Sequence, residues 1–314
     1  MKRVLVTGGA GFIGSHLADA YLRRGDEVVV LDSLVHGRKE NLPAGAEFIQ
    51  LDIRDPAAAD LIRERRFDVV NHHAAQMDVR VSVQDPRFDA SVNLDGLLNL
   101  LEAARESEVG KFVFVSSGGV VYGEPEQRPT PENAPKQPES PYGVTKLGGE
   151  YYLHYYHRVH GMDYVALRYS NVYGPRQDPH GEAGVVAIFS TRLLREEPLT
   201  IFGDGEQTRD YVYVGDVVAA NLLLTDAEFP RSTGLDDRAF NVGTGKETSV
   251  NELAETLAAA SGRALDVRYA EARPGELLHS SLDASKLRAQ GWEPRTDLRT
   301  GLGATYEWIA ERSR

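Results

Sequence analysis

A glycine-rich turn directly after the first hydrophobic run constrains this fold more than any other feature. The apolar residues 4–6 precede residues 7–14, which read Thr-Gly-Gly-Ala-Gly-Phe-Ile-Gly. Gly9, Gly11 and Gly14 match G-x-G-x-x-G, and Gly8 with Gly11 and Gly14 matches G-x-x-G-x-x-G. Such a turn tolerates positive φ, lets the backbone approach a bound group and packs a helix closely on a strand. A tight turn without a ligand gives the same pattern, so the surrounding sequence must decide.

The first half of the chain alternates short β-branched runs with amphipathic helical patterns. The predicted strands are Arg3–Thr7, Glu27–Leu31, Glu47–Leu51, Val69–His72 and Lys111–Ser116. The predicted helices between them are Ile13–Arg24, Ala57–Arg65 and Val92–Glu106. Strands that alternate with helices indicate parallel pairing through right-handed crossovers. We therefore expect an α/β fold with a Rossmann-type, doubly wound parallel sheet.

The second half of the chain is less regular. Residues 124–141 are rich in proline and acids, which is typical of an ordered surface loop beside a site. The further elements that we predict are a long helix from Pro141 to about His160 that ends at Gly161, strands at Asp163–Tyr169, Leu199–Phe202, Asp210–Val214 and Phe240–Val242, and helices at Gly215–Leu224, Val250–Ala260 and Thr300–Glu311. We expect residues 1–170 to form the first domain and residues 171–314 a smaller, interleaved C-terminal α/β lobe for substrate.

The position of one acid makes the glycine turn specific for a dinucleotide. Asp32 lies 18 residues after Gly14, at the end of the second predicted strand. A carboxylate there accepts hydrogen bonds from both ribose hydroxyls and repels a 2′-phosphate, which favours NAD over NADP. We expect Asp52 and Ile53, at the end of the third strand, to hold adenine, although both acids also suit ordinary strand ends. The turn itself contributes Gly8, Gly11, Phe12, Ile13 and Gly14.

Composition excludes several classes of protein. The 47 acids and 35 bases give a net charge of −12, which argues against nucleic acid as the partner. The absence of cysteine excludes disulfides, Cys-ligated zinc and a thiol nucleophile. No apolar run approaches the roughly 18 residues that span a bilayer, so we expect a cytoplasmic protein without membrane contact. The pair His72-His73 and the series His154, His157 and His160 suit structural roles, and we expect no metal.

A tyrosine and a lysine open the long predicted helix. Tyr142 and Lys146 are four residues apart, so they share one helix face. A phenol with a pKa of about 10 is a poor base at neutral pH. A neighbouring ammonium and the positive nicotinamide of an oxidised cofactor favour the phenolate. Y-x-x-x-K alone is common, but about 130 residues after the glycine turn it indicates proton transfer coupled to hydride transfer.

These features resemble the extended short-chain dehydrogenase/reductases, and most of all the UDP-glucose (UDP-galactose) 4-epimerases. The likeness runs over essentially the full chain. It is carried by residues 7–14, 73–75, 116–123, 168–175, 209–211 and 273–276, together with Asn93, Tyr142 and Lys146. The resemblance implies NAD-dependent inversion at C4 of a UDP-hexose through a transient 4-keto sugar, with Tyr142 as base and Lys146 as its support.

The same resemblance assigns the remaining site residues. Ala74, Ala75 and Asn93 join Tyr142 and Lys146 on the cofactor side, with Asn93 fixing the lysine through a water. The implied substrate residues are Asn171, Thr200, Arg209, Tyr211, Arg273 and Ser280. Arg209 and Arg273 match positions that clamp the diphosphate, which suits a guanidinium. Ser280 stands at the gate of the sugar pocket, and its small size predicts activity on UDP-N-acetylhexosamines as well.

One position departs from the family pattern. Relatives carry a Ser or Thr after the fifth strand, and counting back from Tyr122 places that hydroxyl near Gly118. Our hypothesis is that Ser117, or a water, replaces it, which makes Ser117 a catalytic and substrate-binding candidate. Gly119 and Val120 stand where dehydratases carry an Asp-Glu pair and decarboxylases a Glu, so neither reaction is expected.

Three alternatives remain, and one assembly is expected. The alternatives are a related nucleotide-sugar enzyme such as a UDP-glucuronate 4-epimerase, a net dehydrogenase or reductase, and a non-catalytic dinucleotide-binding regulator. Tyr151, Tyr152, Tyr155 and Tyr156 suit a packed helix face. In relatives this helix joins a neighbouring subunit, so we expect a homodimer with a four-helix interface.

Overall fold

A parallel sheet forms the centre of the molecule. The computed structural model describes residues 1–179, 184–231, 233–273 and 277–313. Within these residues the sheet has seven strands, which are β1 (Arg3–Thr7), β2 (Glu27–Asp32), β3 (Glu47–Gln50), β4 (Val69–His72), β5 (Lys111–Ser117), β6 (Tyr164–Tyr169) and β11 (Ala239–Val242). Their order across the sheet is β11-β6-β5-β4-β1-β2-β3. All neighbours pair in parallel, which confirms the predicted doubly wound sheet.

Helices cover both faces of the sheet, so its central strands are buried and almost wholly apolar. The helices are α1 (Phe12–Arg23), α2 (Pro56–Arg65), α3 (Val79–Gln84), α4 (Pro86–Ala90), α5 (Gly96–Glu106), α6 (Gly118–Val121), α7 (Pro141–His160), α8 (Val185–Leu194), α9 (Val214–Asp226), α10 (Val250–Ser261), α11 (Ser285–Arg288) and α12 (Leu298–Arg312). Residues of α2, α5 and α7 pack in one core, and residues of α1, α9 and α11 pack in the core on the opposite face. β11 and α9 come late in the chain, but they belong to the seven-stranded sheet and its covering helices.

A third core lies in the C-terminal part of the chain. Residues of α8, α10 and α12 pack there against Leu199 and Ile201. The strands of this part are β7 (Asn171–Tyr173), β8 (Leu199–Phe202), β9 (Thr208–Arg209), β10 (Tyr211–Tyr213), β12 (Thr248–Ser249) and β13 (Val267–Ala270). They form three two-stranded pairs, β10 with β7, β12 with β9 and β13 with β8. No helix of the described residues is long and apolar enough to cross a membrane.

The structure shifts some predicted boundaries and adds elements. The expected helix Val92–Glu106 begins as a π-helical turn at Ser91–Asp95, and the regular helix starts only at Gly96. Helix α7 has the expected bounds: the Ser140 side chain caps it, and Gly161 ends it with φ of 75°. The expected strand Asp210–Val214 is shorter because Val214 already starts α9. Helices α3, α4, α6, α8 and α11 have no counterpart among the predicted elements.

Candidate active site

A cavity of about 820 Å³ opens at the carboxyl ends of the sheet strands. Its lining includes residues after β1, β2, β4 and β5, the start of α7, and residues of α8, β8 and β10. β1 lies between β2 and β4, so the chain changes direction across the sheet at this point. Doubly wound folds bind their ligands at this crevice. The cavity therefore brings the predicted dinucleotide turn and the predicted substrate lobe to one place.

The glycine turn forms the floor of the cavity. Gly8 has φ of +68°, and its N–H donates to the Leu31 carbonyl at 2.8 Å. A Cβ atom at Gly8 would lie 2.7 Å from the Ala74 nitrogen, and one at Gly14 only 2.3 Å from the Gly8 oxygen. Helix α1 starts directly afterwards without a side-chain cap, so amide groups of its first turn have no capping partner. This arrangement fits the diphosphate of a dinucleotide.

Asp32 ends β2 at the wall of the cavity. Its Oδ2 accepts from the Ala10 N–H at 3.0 Å, and its Oδ1 accepts from the Leu34 N–H at 2.8 Å. These bonds fix a carboxylate beside the turn, where it suits ribose hydroxyls and repels an added phosphate. The nearby Arg38 lines the cavity but is paired with Asp178 at 2.8 Å. The fit is therefore to NAD.

Asp52 and Ile53 both line the cavity after β3. Arg54 holds the Asp52 carboxylate with two hydrogen bonds of 3.0 and 2.7 Å, and these bonds lower the pKa of Asp52. The Ile53 side chain is buried against Gly96, where a Cβ would lie 2.7 Å from its Cδ1. Arg54 also lies over the Phe88 ring, 5.6 Å from its centre. The sequence alone does not single out Arg54, because an exposed arginine has no distinctive pattern.

Tyr142 and Lys146 lie one turn apart on α7 and both line the cavity. The Lys146 Nζ donates to the Val115 carbonyl at 2.9 Å and lies 5.8 Å from the centre of the Tyr142 ring. Burial lowers the pKa of Lys146 to about 8, against the opposing charges of Asp89 and Glu150. The amine is therefore mostly protonated at neutral pH and sits where it favours the phenolate of its neighbour.

The burial of Lys146 gives a prediction for stability. Its folded-state pKa of about 8 is below the ordinary value of 10.5, so the unfolded chain binds the proton more tightly. Burial of the protonated lysine therefore lowers the free energy of unfolding. This loss is complete below pH 8, decreases as the pH rises from 8 to 10.5 and is absent above that range. We expect Lys146→Met to raise the free energy of unfolding by about 2 kcal/mol at pH 7. This net gain already allows for the hydrogen bond to the Val115 carbonyl, which the variant loses.

Urea unfolding at pH 7 and pH 9.5 measures this effect. The gain of the variant over the parent protein should shrink at the higher pH, because the parent lysine is then neutral in the folded state. Lys39→Met, at an exposed position, is the matched control and should show no such change. A gain that is independent of pH, or a loss at both values, would contradict the buried charge.

Ser117 lines the cavity, whereas Gly118 is buried behind it. A Cβ atom at Gly118 would lie 2.5 Å from Cδ1 of Leu282, so a serine or threonine there would require the Leu282 side chain to shift. Among the described residues Gly118 does not line the cavity, and neither do Gly119 and Val120. The hydroxyl that reaches the cavity from this strand end is therefore at Ser116 or Ser117.

The predicted substrate residues lie mostly in the C-terminal half of the cavity. Asn171 and Tyr211 are register partners in the β7–β10 pair, and both line it. The Arg209 Nη1 donates to the Thr208 carbonyl at 2.8 Å, and the Arg273 guanidinium stacks on Phe202 at 3.8 Å from the ring centre. The family block that begins at Arg273 continues at 274–276, which lie outside the described residues. Thr200 lines the same region.

Two predicted site residues lie behind the wall instead of in it. The Asn93 side chain bonds to both backbone groups of Gln76 and donates to Asp89 and to Thr145 on α7. Ser280 is buried, and its N–H donates to the Thr208 carbonyl at 3.2 Å. Neither is among the described residues that line the cavity, whereas Ala74 and Ala75 are. Asn93 thus braces the helix that carries Lys146.

The two histidines at the end of β4 contact neighbouring hydroxyl groups, and His73 also lines the cavity. The His72 Nδ1 is 2.8 Å from the Thr7 hydroxyl, and His73 Nε2 lies 3.4 Å from the Tyr169 hydroxyl. Burial, with a contribution from Lys146, lowers the pKa of His73 to about 3. Within the described part of the chain, no group of three His, Asp or Glu residues is placed to hold a metal.

A buried ion pair joins α7 to the neighbouring strand β6. Arg168 on β6 bonds to the Glu150 carboxylate on α7 at 2.6 Å, and both side chains are at most 1% exposed. Ser116 donates to the same carboxylate at 2.5 Å. Burial alone would lower the pKa of Arg168, but the Glu150 carboxylate raises it on balance. The pair connects the end of β5 to α7, on which Tyr142 and Lys146 lie.

Comparison with known proteins gives consistent results. Residues 4–243 match the NAD dependent epimerase/dehydratase family. The chain is 47% identical to the UDP-glucose 4-epimerase of Mycolicibacterium smegmatis, over 99% of both chains. A Thermotoga maritima UDP-glucose 4-epimerase solved with UDP-glucose is 45% identical, with a TM-score of 0.95 over 99% of this chain and 100% of that one. A Thermus thermophilus UDP-glucose 4-epimerase solved with NAD is 47% identical, with a TM-score of 0.91 over 98% of both chains.

Proposed function

The chain belongs to the NAD dependent epimerase/dehydratase family, and from that membership we propose that it inverts C4 of a UDP-hexose, interconverting UDP-galactose and UDP-glucose. The observation that carries the proposal is the Tyr142–Lys146 pair, which lines the same cavity as the glycine turn. Gly119 and Val120 supply no acid or base for dehydration. Similarity to UDP-glucose 4-epimerases over nearly the whole chain supports the same reaction.

The residues divide the chemistry between them. The turn after β1 and Asp32 would hold NAD, which when bound would supply the acceptor and donor of a hydride at C4. Tyr142 removes the proton of the 4-hydroxyl and later donates a proton to the 4-keto oxygen. Lys146, fixed by the Val115 carbonyl, stabilises the phenolate. Arg209 and Arg273 hold the diphosphate while the keto sugar rotates and presents its other face.

Conversion of UDP-galactose by the purified protein tests the proposal. We expect NAD to copurify with the chain, and proton NMR to show UDP-glucose forming without net NADH. UDP-glucuronate as a clearly better substrate would favour a uronate 4-epimerase. Stoichiometric NADH would indicate a net dehydrogenase, and bound NAD without turnover of any UDP-sugar would indicate a regulator.

We further propose that the enzyme accepts UDP-N-acetylhexosamines. The support is the small Ser280 at the position that the family resemblance gives to the gate, although its side chain lies behind the described cavity wall. The kcat/KM for UDP-N-acetylgalactosamine should be of the same order as that for UDP-galactose. A value several hundredfold lower would contradict this assignment.

Ser117 is our candidate for the sugar hydroxyl contact that a serine or threonine near position 118 makes in relatives. It ends β5 at the cavity, and Leu282 fills the space beside Gly118. We expect Ser117→Ala to lower kcat by roughly 10- to 100-fold through the lost hydrogen bond. Steady-state kinetics with UDP-galactose measure this, with Ser107→Ala, at the far end of α5, as control. Unchanged turnover would mean that Ser117 is not the replacement.

We also propose that two copies pair through α7 in a four-helix interface. Tyr151, Tyr155 and Val159 follow one stripe of α7 and are 58%, 47% and 62% exposed, which is unusual for large apolar side chains in a row. Light scattering at micromolar concentration should give twice the chain mass of 34.6 kDa. Tyr151→Glu with Val159→Glu should give the monomer, whereas Leu265→Glu should not. A monomeric parent protein would contradict the interface.

A further inference from the structure

Arg192 is a cavity residue that neither the sequence motifs nor the proposed chemistry uses. It lies on α8 and lines the part of the cavity formed by the C-terminal lobe. One nitrogen, Nη1, donates to the Pro198 carbonyl at 2.8 Å and to the Thr200 hydroxyl oxygen at 2.9 Å. Among the described residues no carboxylate forms an ion pair with this guanidinium. Its charge therefore remains available to a ligand.

The bond to Arg192 fixes what the Thr200 hydroxyl can do. A guanidinium has donors and no acceptor, so Thr200 Oγ1 must accept in this contact. Its own hydrogen is then left for another acceptor, and the described residues provide none within hydrogen-bond distance. Arg192 likewise keeps its Nη2 and Nε hydrogens. Together the two side chains present an edge that consists of hydrogen-bond donors.

The position of this edge indicates which part of a nucleotide sugar it meets. Thr200 and Phe202 are half-buried residues of β8 that line the cavity, as does Ile201, whereas the side chains of Leu199 and Ile201 are packed in the core. Residues two apart on a strand are about 6–7 Å from each other. Arg273, which we propose binds the diphosphate, stacks on Phe202. Thr200 therefore lies one such step along β8 from the residue that supports Arg273. The sugar has to reach Tyr142 at the start of α7. The nucleoside, at the other end of the diphosphate, would then lie in the C-terminal lobe.

The walls around this edge suit a planar base. Ile188, Phe189 and Val250 line the same lobe of the cavity. Apolar walls with a small number of placed polar groups are typical of sites for flat ligands. Uracil presents carbonyl oxygens at its edge, whereas cytosine presents an amino group in place of one of them. Hydrogen-bond donors on the protein therefore bind the uracil carbonyl, whereas with cytosine they would face another donor, its amino group.

We propose that the Arg192–Thr200 pair selects the base of the substrate by donating to the C4 carbonyl oxygen of uracil, which cytosine replaces with an amino group, so that UDP is bound in preference to CDP. This inference rests on the proposed function, because it assumes that the C-terminal lobe holds the nucleoside of a sugar nucleotide. Arg192 contacts the base directly and also orients the Thr200 hydroxyl. It acts on the choice of nucleotide and takes no part in proton transfer.

Binding of UDP and CDP without any sugar tests the proposal by calorimetry. The parent protein should bind UDP at least about tenfold more tightly than CDP. Arg192→Met should weaken UDP binding on the order of 10- to 100-fold, as expected for a charged hydrogen bond, and change CDP binding little. The preference for UDP should then largely disappear. Arg195→Met, an exposed arginine just beyond the same helix, should leave both affinities unchanged.

A second variant keeps the test independent of folding. Arg192 also holds the turn before β8 through Pro198, so melting temperature is recorded for each variant. Thr200→Val retains shape and should reduce the UDP preference about fivefold. Equal losses for UDP and CDP, or an unchanged ratio in both variants, would overturn the proposal. Because only UDP and CDP are used, a failure of sugar epimerisation would appear in turnover and not in this ratio.

Discussion

Tyr142→Phe is expected to lower kcat for UDP-galactose by roughly 100- to 10,000-fold, the usual contribution of a positioned acid–base group. Phenylalanine keeps the ring but removes the oxygen that takes and returns the proton at C4. Tyr142 lies at the start of α7 on the cavity wall, and the variant leaves the glycine turn and Asp32 intact. Bound NAD per chain and melting temperature should therefore stay close to those of the parent protein.

Initial rates by NMR, with NAD content measured on the same samples, check this result. Tyr269→Phe is the matched control, because Tyr269 is 60% exposed on β13 and does not line the described cavity. It removes the same atom and should leave turnover unchanged. A Tyr142→Phe enzyme with parental kcat would remove the tyrosine from the mechanism.

Glu150→Gln is expected to cost about 3–5 kcal/mol of unfolding free energy, which is typical when one partner of a buried ion pair is removed. Arg168 would keep its charge at 0% exposure, and among the described residues the ion pair left to it is the one with the partly exposed Asp236 at 2.8 Å. The variant also replaces the carboxylate that accepts the Ser116 hydrogen bond with a neutral amide, at the strand end that carries Ser117. Urea unfolding at pH 7 measures the loss.

An exposed pair gives the contrast for this prediction. Glu106→Gln breaks the surface pair with Arg63 and should lower the free energy of unfolding far less than Glu150→Gln. The double variant Glu150→Leu with Arg168→Met should recover most of the stability lost in Glu150→Gln, since no buried charge remains. A loss for Glu150→Gln as small as that for Glu106→Gln would mean that water or Asp236 compensates Arg168.

The central sheet could be predicted because its signals are local. Strands β1 to β6 are predicted nearly residue by residue from apolar runs of strand length and the glycine turn. Helix α7 is predicted as closely, because the sequence signals both its start and its end. Helix α8 carries no such signal, because Val185–Leu194 is apolar on almost every side and has no clear amphipathic period. The π turn at Ser91–Asp95 contains Asn93, which bonds to the distant Gln76, and local sequence does not encode such tertiary contacts.

The candidate site was predictable to the extent that its chemistry follows from residue type and order. Asp32 and the Tyr142–Lys146 pair are in the cavity because each ends a strand or begins a helix at the ligand edge of the sheet. Arg192 was not predictable, since one of many arginines stands out only through its bond to Thr200. Ser280 was assigned by position along the chain, while its burial depends on the strand contact with Thr208.

Deuterium at C4 of UDP-galactose gives the most direct test of the central claim, that this cavity oxidises and reduces a single sugar carbon with Tyr142 as the proton carrier. Incubation of the purified protein with the labelled substrate, followed by NMR, should yield UDP-glucose that keeps its deuterium at C4. Loss of the label to water, its appearance at another carbon, or recovery of unchanged UDP-galactose would contradict the account.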